Sequence, residues 1–132
     1  MKWYFKVLKQ YAHFSGRARR KEYWMFILFY MIFGVVAMIL DITLGTTFRP
    51  TFNFYGQPFE HELGYGWIYQ IYVLATILPT LAVSIRRLHD IGKSGWNYLL
   101  AFIPLVGSII LIVWSCKDSQ PGENKWGLNP KQ

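Results

Sequence analysis

The stretch "YWMFILFYMIFGVVAMIL", residues Tyr23 to Leu40, decides the fold. It holds eighteen consecutive residues without a charge, and extension past Asp41 to Leu44 gives twenty-two. At 1.5 Å per residue, a helix of this length reaches roughly 33 Å, enough to cross a hydrocarbon core of about 30 Å. A helix also satisfies its own backbone amides, as lipid requires. We therefore predict a transmembrane helix over 23–44.

Two further apolar runs follow, "WIYQIYVLATILPTLAVSI" and "WNYLLAFIPLVGSIILIVW", each of nineteen uncharged residues. They predict transmembrane helices over 67–85 and 96–114, the first containing Pro79 and the second Pro104 and Gly107. Buried helices of a soluble bundle are the alternative. That alternative is disfavoured because soluble helices carry a polar stripe that these runs lack.

Composition agrees with a membrane protein of one domain. Of the 132 residues, 53% are hydrophobic and 16% are charged, against about 25% charged in soluble domains. The net charge of +7 is typical of nucleic-acid binding, but here Lys and Arg lie beside apolar runs. Phospholipid head groups are then the nearer phosphates, so we predict membrane lipids and no nucleic acid as partners. The single cysteine, Cys116, forms neither an intrachain disulfide nor a metal site.

The three segments outside the spans differ in composition and in the structure that they predict. Residues 1–16 form, if helical, an amphipathic helix with aromatics on one face and lysines on the other. That helix suits the membrane interface, or alternatively packs on the protein's own spans. No cleavable signal peptide is expected, because this segment has no short apolar core. Residues 45–66 predict an irregular outer loop, and residues 115–132 a polar tail.

Charge predicts the orientation, because cytoplasmic flanks accumulate Lys and Arg. With three spans, the N-terminal segment and second loop carry ten basic residues, and the first loop and tail carry four. This favours a cytoplasmic N-terminus and an outward tail. If Pro104 and Gly107 turned the third run into a re-entrant hairpin, the ratio would be thirteen to one. We favour three full spans, because each hairpin arm has only about ten residues and cannot cross.

The second loop, "RRLHDIGKSGW" at 86–96, concentrates charge and glycine. On a continuing helix, Asp90 lies four residues after Arg86 and three after Arg87, so both guanidinium groups can share its carboxylate. Ser94 can cap the next helix. The residues of this structural motif are His89, Asp90, Gly92, Gly95 and Trp96.

A functional interpretation of this loop remains open beside the structural one. Five basic residues fall on the same predicted side and are candidates for a lipid or phosphate pocket: Arg17, Arg20, Arg86, Arg87 and Lys93. Catalysis is disfavoured, because neighbours such as His89 and Asp90 do not face each other on a helix. "GKS" at 92–94 lacks the glycine that a phosphate loop requires five residues earlier. We predict no catalytic residues, metal or cofactor.

Two polar features of the spans carry information. Thr76, Thr80 and Ser84 recur every four residues on the second span and predict a helix-packing stripe, within one chain or between chains. Asp41 is the ionisable residue embedded in an apolar run. It is either a functional carboxylate or one that reaches water at the outer end of its span.

Four segments in order resemble the bacterial domain of unknown function 805 family: "FSGRARRKEYWMF" at 14–26, "RRLHDIGKSGW" at 86–96, "IPLVG" at 103–107 and "PGENKWGLNP" at 121–130. The resemblance covers nearly the whole chain and is weakest at 46–64. It implies a small polytopic protein of the bacterial inner membrane. It implies no reaction, because the family has no established activity.

Together these features predict an all-α membrane protein with three transmembrane helices preceded by an amphipathic interfacial helix. We expect a multi-pass inner (plasma) membrane protein with a cytoplasmic N-terminus. The favoured function is a non-enzymatic component that binds anionic phospholipid head groups or a partner membrane protein through its basic cytoplasmic face. The alternative is an oligomeric transport or channel component.

Overall fold

A computed structural model of the chain describes residues 2–49, 51–54, 57–60 and 64–131. The four α-helices are α1 (Lys2–Lys9), α2 (Arg20–Leu44), α3 (Trp67–Asp90) and α4 (Val106–Cys116). A 3₁₀ helix covers Gly95–Phe102, and two strands, β1 (Thr51–Phe54) and β2 (Gln57–Glu60), pair antiparallel. Residues 117–131 form the tail.

Helices α2 and α3 are the two candidate membrane spans in the described part of the chain. They contain 25 and 24 residues, or about 36–38 Å of helix. Only 22% and 28% of their most apolar windows are buried. Large apolar side chains such as Met31, Val35 and Ile71 are more than half exposed. A soluble core helix would bury these groups, so the exposure fits contact with lipid.

The third apolar run does not form the predicted helix over 96–114. It divides into the 3₁₀ helix and α4, of eight and eleven residues, each only about 16 Å long. Between them, Leu105 adopts a positive φ of 63°, which is rare for a residue with a side chain. At Gly107 a side chain would clash with the carbonyl of Leu100, so glycine is needed for this close approach.

Both ends of the divided run lie at the last turns of α3. At its start, a methyl group on Gly95 would lie 2.8 Å from Cγ2 of Ile85. At its end, the carbonyl of Ser115 accepts a hydrogen bond from Arg87 Nε at 3.2 Å. The run therefore leaves the end of α3 and returns to it. The predicted third full span is therefore not confirmed, because α2 and α3 are the two helices in the described residues that are long enough to cross.

Two other predictions differ from the structure. Helix α1 ends at Lys9, although residues 1–16 were predicted as one amphipathic helix. Its Tyr4 and Val7 are buried, and the Tyr4 ring stacks on Phe26 with centroids 5.3 Å apart, so this face packs on the protein. Within 45–66, predicted to be irregular, β1 and β2 form a short hairpin, because a segment with aromatic and β-branched residues can pair with itself.

The described contacts divide the chain into two compact units. The basic unit comprises Met1–Phe29 and Leu78–Gln132, and the loop unit comprises Tyr30–Ile77. In the loop unit, α2 and α3 pack through Tyr30 and Tyr72, whose rings stack at 5.5 Å, and Tyr72 donates to the carbonyl of Tyr30 at 2.9 Å. The basic unit contains the candidate site.

Candidate functional site

A fully buried carboxylate, Asp90, lies at the centre of the basic unit. Its Oδ1 accepts a hydrogen bond from Nε of Arg17 at 3.0 Å, and its Oδ2 accepts from Arg87 Nη1 and from Ser119 Oγ, the latter at 2.6 Å. The Arg87 pair has the predicted i,i+3 spacing. Asp90 therefore joins α3, the N-terminal segment and the tail.

The two arginines bound to Asp90 also bind backbone carbonyls. Arg17 donates to the carbonyls of Asp90, Gln120, Gly122 and Gly127 at 2.6–3.3 Å. Together with its bond to the Asp90 carboxylate, this uses all five of its N–H donors. The side chain of Arg17 thus holds the tail in place by binding the backbone carbonyls of the tail, so these contacts require no side chain from the tail.

Arg87 plays the corresponding role at the end of α4. It donates to the carbonyls of Ser115 at 3.2 Å, Ala18 at 3.3 Å and Lys117. The last carbonyls of a helix have no partner inside that helix, and a guanidinium group satisfies them well. Arg17 and Arg87 do meet, as the phosphate hypothesis required, but around a carboxylate and carbonyls. Their contacts leave Arg17 no donor for a phosphate.

Arg86 belongs to a second ion-pair cluster. The prediction that it shares Asp90 is wrong, because its Nη1 donates to Glu22 Oε1 at 3.3 Å and to Gln10 Oε1. The other oxygen of Glu22 accepts from Lys6 Nζ at 2.6 Å. Glu22 is buried and was missed from the sequence. It is the first acidic residue in the chain, at the start of an apolar span, and such a carboxylate must be paired when buried.

The remaining residues of "RRLHDIGKSGW" have local structural roles. Nδ1 of His89 lies 3.2 Å from the carbonyl of Gly16, and its ring stacks on Trp126 at 4.5 Å. Gly92 has a φ of 77°, as a turn after α3 requires. Ser94 caps the 3₁₀ helix by accepting from the amide of Trp96 at 3.4 Å, which confirms the predicted cap.

The basic residues that stay accessible are mostly different from those predicted. Arg20 is exposed and donates to the carbonyl of Cys116 at 3.1 Å. Lys93 is exposed, with its ammonium 5.2 Å from the centre of the Trp114 ring. Four further lysines are exposed in the N-terminal segment: Lys2, Lys6, Lys9 and Lys21. In the tail, a hydrogen bond from Lys131, followed by one from the amide of Ser119, lowers the pKa of Asp118 below its ordinary value.

Helix α1 carries a groove of about 460 Å³ lined by Lys2, Phe5, Lys6, Lys9 and Gln10. These positions repeat every three or four residues and so share one helix face. Tyr4 and Val7 occupy the opposite, buried face. The groove therefore combines cations with Phe5, which is 52% exposed.

Asp41 has a structural role in the loop unit. Its carboxylate accepts from the backbone amides of Gly66, Ile68 and Tyr69 at 2.9–3.1 Å and from Thr46 Oγ1 at 2.5 Å. These amides lie at the N-terminal end of α3, where N–H groups lack partners within the helix. Asp41 thus caps α3 from the end of α2, instead of reaching water.

The predicted packing stripe on α3 is partly buried. Thr76 and Ser84 are buried and donate to the carbonyls four residues earlier, Tyr72 and Thr80, both at 2.7 Å. Thr80 is half-buried. Bonds of this kind satisfy a hydroxyl within its own helix, so packing between chains stays a prediction.

The arrangement also bears on catalysis and metal binding. His89 and Asp90 hydrogen-bond to different groups: Nδ1 of His89 lies beside the carbonyl of Gly16, and the carboxylate of Asp90 accepts from Arg17, Arg87 and Ser119. In the described parts of the chain, no three His, Cys, Asp or Glu side chains are grouped to hold a metal ion. Two further possible metal ligands in the sequence, His61 and Glu62, lie outside the described residues.

Comparison with known proteins places the chain in a family. The model of the family described as "Protein of unknown function (DUF805)" matches residues 11–128. The chain belongs to the DUF805 family. The match includes the three segments that meet in the basic unit: the segment after α1, the end of α3 and most of the tail.

Two similar proteins align with 99% of the chain. Inner membrane protein YhaH of Escherichia coli (strain K12) is 46% identical over 131 residues, 99% of this chain and 98% of its own. Inner membrane protein YhaI of the same strain is 44% identical, over 99% of this chain and 97% of its own. No solved structure matches the chain. The chain is thus an inner-membrane protein of this family.

Proposed function

We propose that the protein crosses the inner membrane twice, with its N-terminal segment and tail both in the cytoplasm. The contacts of Arg17 and Arg87 with tail carbonyls support this, because they require the two segments to be on one side. Thirteen Lys and Arg then flank this side, against one, Arg49, in the loop after α2. Such a ratio agrees with the bias of cytoplasmic flanks for basic residues.

The function we propose is non-enzymatic binding of anionic phospholipid head groups by the cytoplasmic end. The observation that carries it is the exposed face of α1, on which Phe5 lies among Lys2, Lys6 and Lys9. Aromatic and cationic groups side by side suit a membrane surface, since one dips into the interface and the other meets lipid phosphates. Lys93 and Trp96, which is 79% exposed, repeat this pairing after α3.

A lipid-enrichment experiment tests this function. The full-length protein is extracted in nanodiscs from a mixed membrane of phosphatidylethanolamine and phosphatidylglycerol, and the retained lipids are measured by mass spectrometry. We expect enrichment of phosphatidylglycerol that falls with rising salt. It should decrease when four exposed cations, Lys2, Lys9, Arg20 and Lys21, are replaced by glutamine, and persist in the control Arg49→Gln. Equal lipid ratios in wild-type discs and bulk membrane would refute the proposal.

The same experiment separates lipid from a partner membrane protein. A partner that binds this face would co-purify at a fixed ratio and depend on the same four cations, without enrichment of phosphatidylglycerol. We do not extend the proposal to transport or channel activity. Three polar side chains that an oligomeric channel could use at its subunit interface have hydrogen-bond partners within the chain: Asp41, Thr76 and Ser84.

A further inference from the structure

Arg86 differs from the other two buried arginines in its unused donors. Its side chain is 3% exposed, yet its Nε and Nη2 have no hydrogen-bond partner among the described residues. Arg17 and Arg87 by contrast bind two carboxylate oxygens and seven carbonyls between them. A buried donor without an acceptor costs free energy, so a further acceptor beside Arg86 would stabilise the protein.

The charge around Arg86 is also uncompensated. Glu22 is the carboxylate that pairs with it, and Glu22 is shared with Lys6. The other acceptor of Arg86 is the neutral amide oxygen of Gln10. Lys2 and Lys9 add two more cations on the same face of α1. One carboxylate therefore serves a cluster of four cations, which favours an added anion.

Two residues belong both to this cluster and to the groove on α1. Lys6 and Gln10 both line the groove of about 460 Å³, and they are also the residues that contact Glu22 and Arg86. An anion that entered the groove would meet the ammonium groups of Lys2, Lys6 and Lys9 first. If it took the place of the Gln10 amide, one of its oxygens would accept from Arg86 Nη1, the donor that Gln10 now uses.

We propose that this groove is a specific site for the phosphate group of an anionic phospholipid. Phosphate offers several charged oxygens, which match the fork of a guanidinium group and adjacent ammonium groups. A lipid is favoured over a soluble phosphate because the exposed ring of Phe5 supplies an apolar contact for the glycerol and upper acyl region. This proposal rests on the proposed function, and it adds a defined site to a general electrostatic attraction.

Two single substitutions with the same change of charge distinguish a site from a general attraction. Lys9→Gln removes a cation that lines the groove, and Lys21→Gln removes an exposed cation that does not line it. Binding of short-chain phosphatidylglycerol to the full-length protein in neutral nanodiscs is measured by titration. We expect Lys9→Gln to weaken binding about tenfold, as for the loss of a charge-assisted hydrogen bond, and Lys21→Gln to weaken it less than threefold.

A third variant tests the role of Arg86 without removing it. Gln10→Glu places a carboxylate where the amide oxygen of Gln10 now meets Arg86. It should raise the melting temperature by giving Arg86 a second charged acceptor beside Glu22, and lower lipid affinity at least tenfold by occupying the site. If Gln10 had only a structural role, Gln10→Glu would change stability and leave lipid affinity as in the wild type. Unchanged lipid affinity in Gln10→Glu would therefore overturn the site.

Each other outcome also has a definite meaning. Equal weakening by Lys9→Gln and Lys21→Gln would overturn the site and leave the proposed general attraction standing. Absence of any preference for phosphatidylglycerol in the wild type would overturn both. Competition by inorganic phosphate at the same concentrations as the lipid would overturn the assignment to a lipid. We expect that inorganic phosphate does not displace the lipid and that Lys9→Gln weakens lipid binding.

Discussion

Replacement of Asp90 by asparagine should release the tail from the rest of the basic unit. The substitution keeps the shape of the side chain and removes its charge. Asp90 is fully buried, and its two oxygens bind Arg17, Arg87 and Ser119. Asparagine leaves two buried guanidinium groups without a counter-charge, and its NH2 group cannot accept a hydrogen bond at the oxygen position that it replaces.

The expected size of the effect follows from the burial. Removal of one partner from a buried ion pair costs about 3–5 kcal/mol, because the remaining charge has lost its compensation. If tail release relieves this cost by exposing Arg17 and Arg87 to water, the equilibrium for opening the tail rises by on the order of 10²–10³-fold. The amide of Gln120 is a direct reporter, since it donates to the carbonyl of Asp90 at 2.9 Å.

Hydrogen exchange followed by mass spectrometry measures this opening in nanodiscs. Peptides covering 117–127 should exchange much faster in Asp90→Asn, while those covering 67–77 should not change. Asp118→Asn is the matched control, because Asp118 lies in the tail with a 60% exposed side chain and an exposed ion pair to Lys131. Surface pairs contribute little, so its exchange should stay near the wild-type rate. Identical protection of the tail in both variants would refute the role assigned to Asp90.

Two further substitutions test the turn after α3 and the cap before it. Gly92→Ala should lower the melting temperature more than Gly122→Ala. Both glycines have positive φ. A methyl group at Gly92 would also lie 2.6 Å from Oε1 of Gln120, whereas one at Gly122 would have no atom within 4 Å. Equal melting temperatures of the two variants would show that the contact with Gln120 does not make alanine at position 92 more destabilising. Asp41→Ala should speed exchange at the amides of 66–69, which lose their acceptor, and leave the tail unaffected; unchanged exchange at 66–69 would contradict the cap.

The spans and the local pair on α3 could be predicted from the sequence. The hydrophobicity of a span is a property of its own consecutive residues. Residues 23–44 and 67–85 could therefore be predicted as spans without knowing what packs against them. The i,i+3 spacing of Arg87 and Asp90 follows from helix geometry alone. The Ser94 cap depends equally on adjacent residues. These features have in common that their partners lie within a few residues of each other.

The path of the third run could not be predicted in the same way. Hydropathy counts apolar residues but does not record direction, and nineteen uncharged residues satisfy the length of a span whether or not the chain turns back. Pro104 and Gly107 marked the turn, and the charge ratio of thirteen to one favoured it. The length argument favoured a full span because it assumed that each arm of a hairpin has to cross the membrane.

The buried clusters needed contacts that no local pattern contains. Arg17 and Asp90 are 73 residues apart, and the tail groups that bind Arg17 are backbone carbonyls, which every residue has. A sequence therefore marks Arg17 as basic without showing that its donors are already used. Glu22 carried a usable signal, since an isolated carboxylate among cations at the start of a span is expected to pair.

The sidedness of Cys116 tests the central claim most directly, namely that the third apolar run returns to the side of the N-terminal segment. Cys116 is the single cysteine, exposed at the end of α4. A membrane-impermeant thiol reagent is applied to spheroplasts and to inverted vesicles, with Ala12→Cys in a Cys116→Ser background marking the N-terminal segment. We predict that both cysteines react in inverted vesicles and neither in spheroplasts. Reaction of Cys116 and the residue 12 thiol from opposite sides would contradict the account and restore a third span.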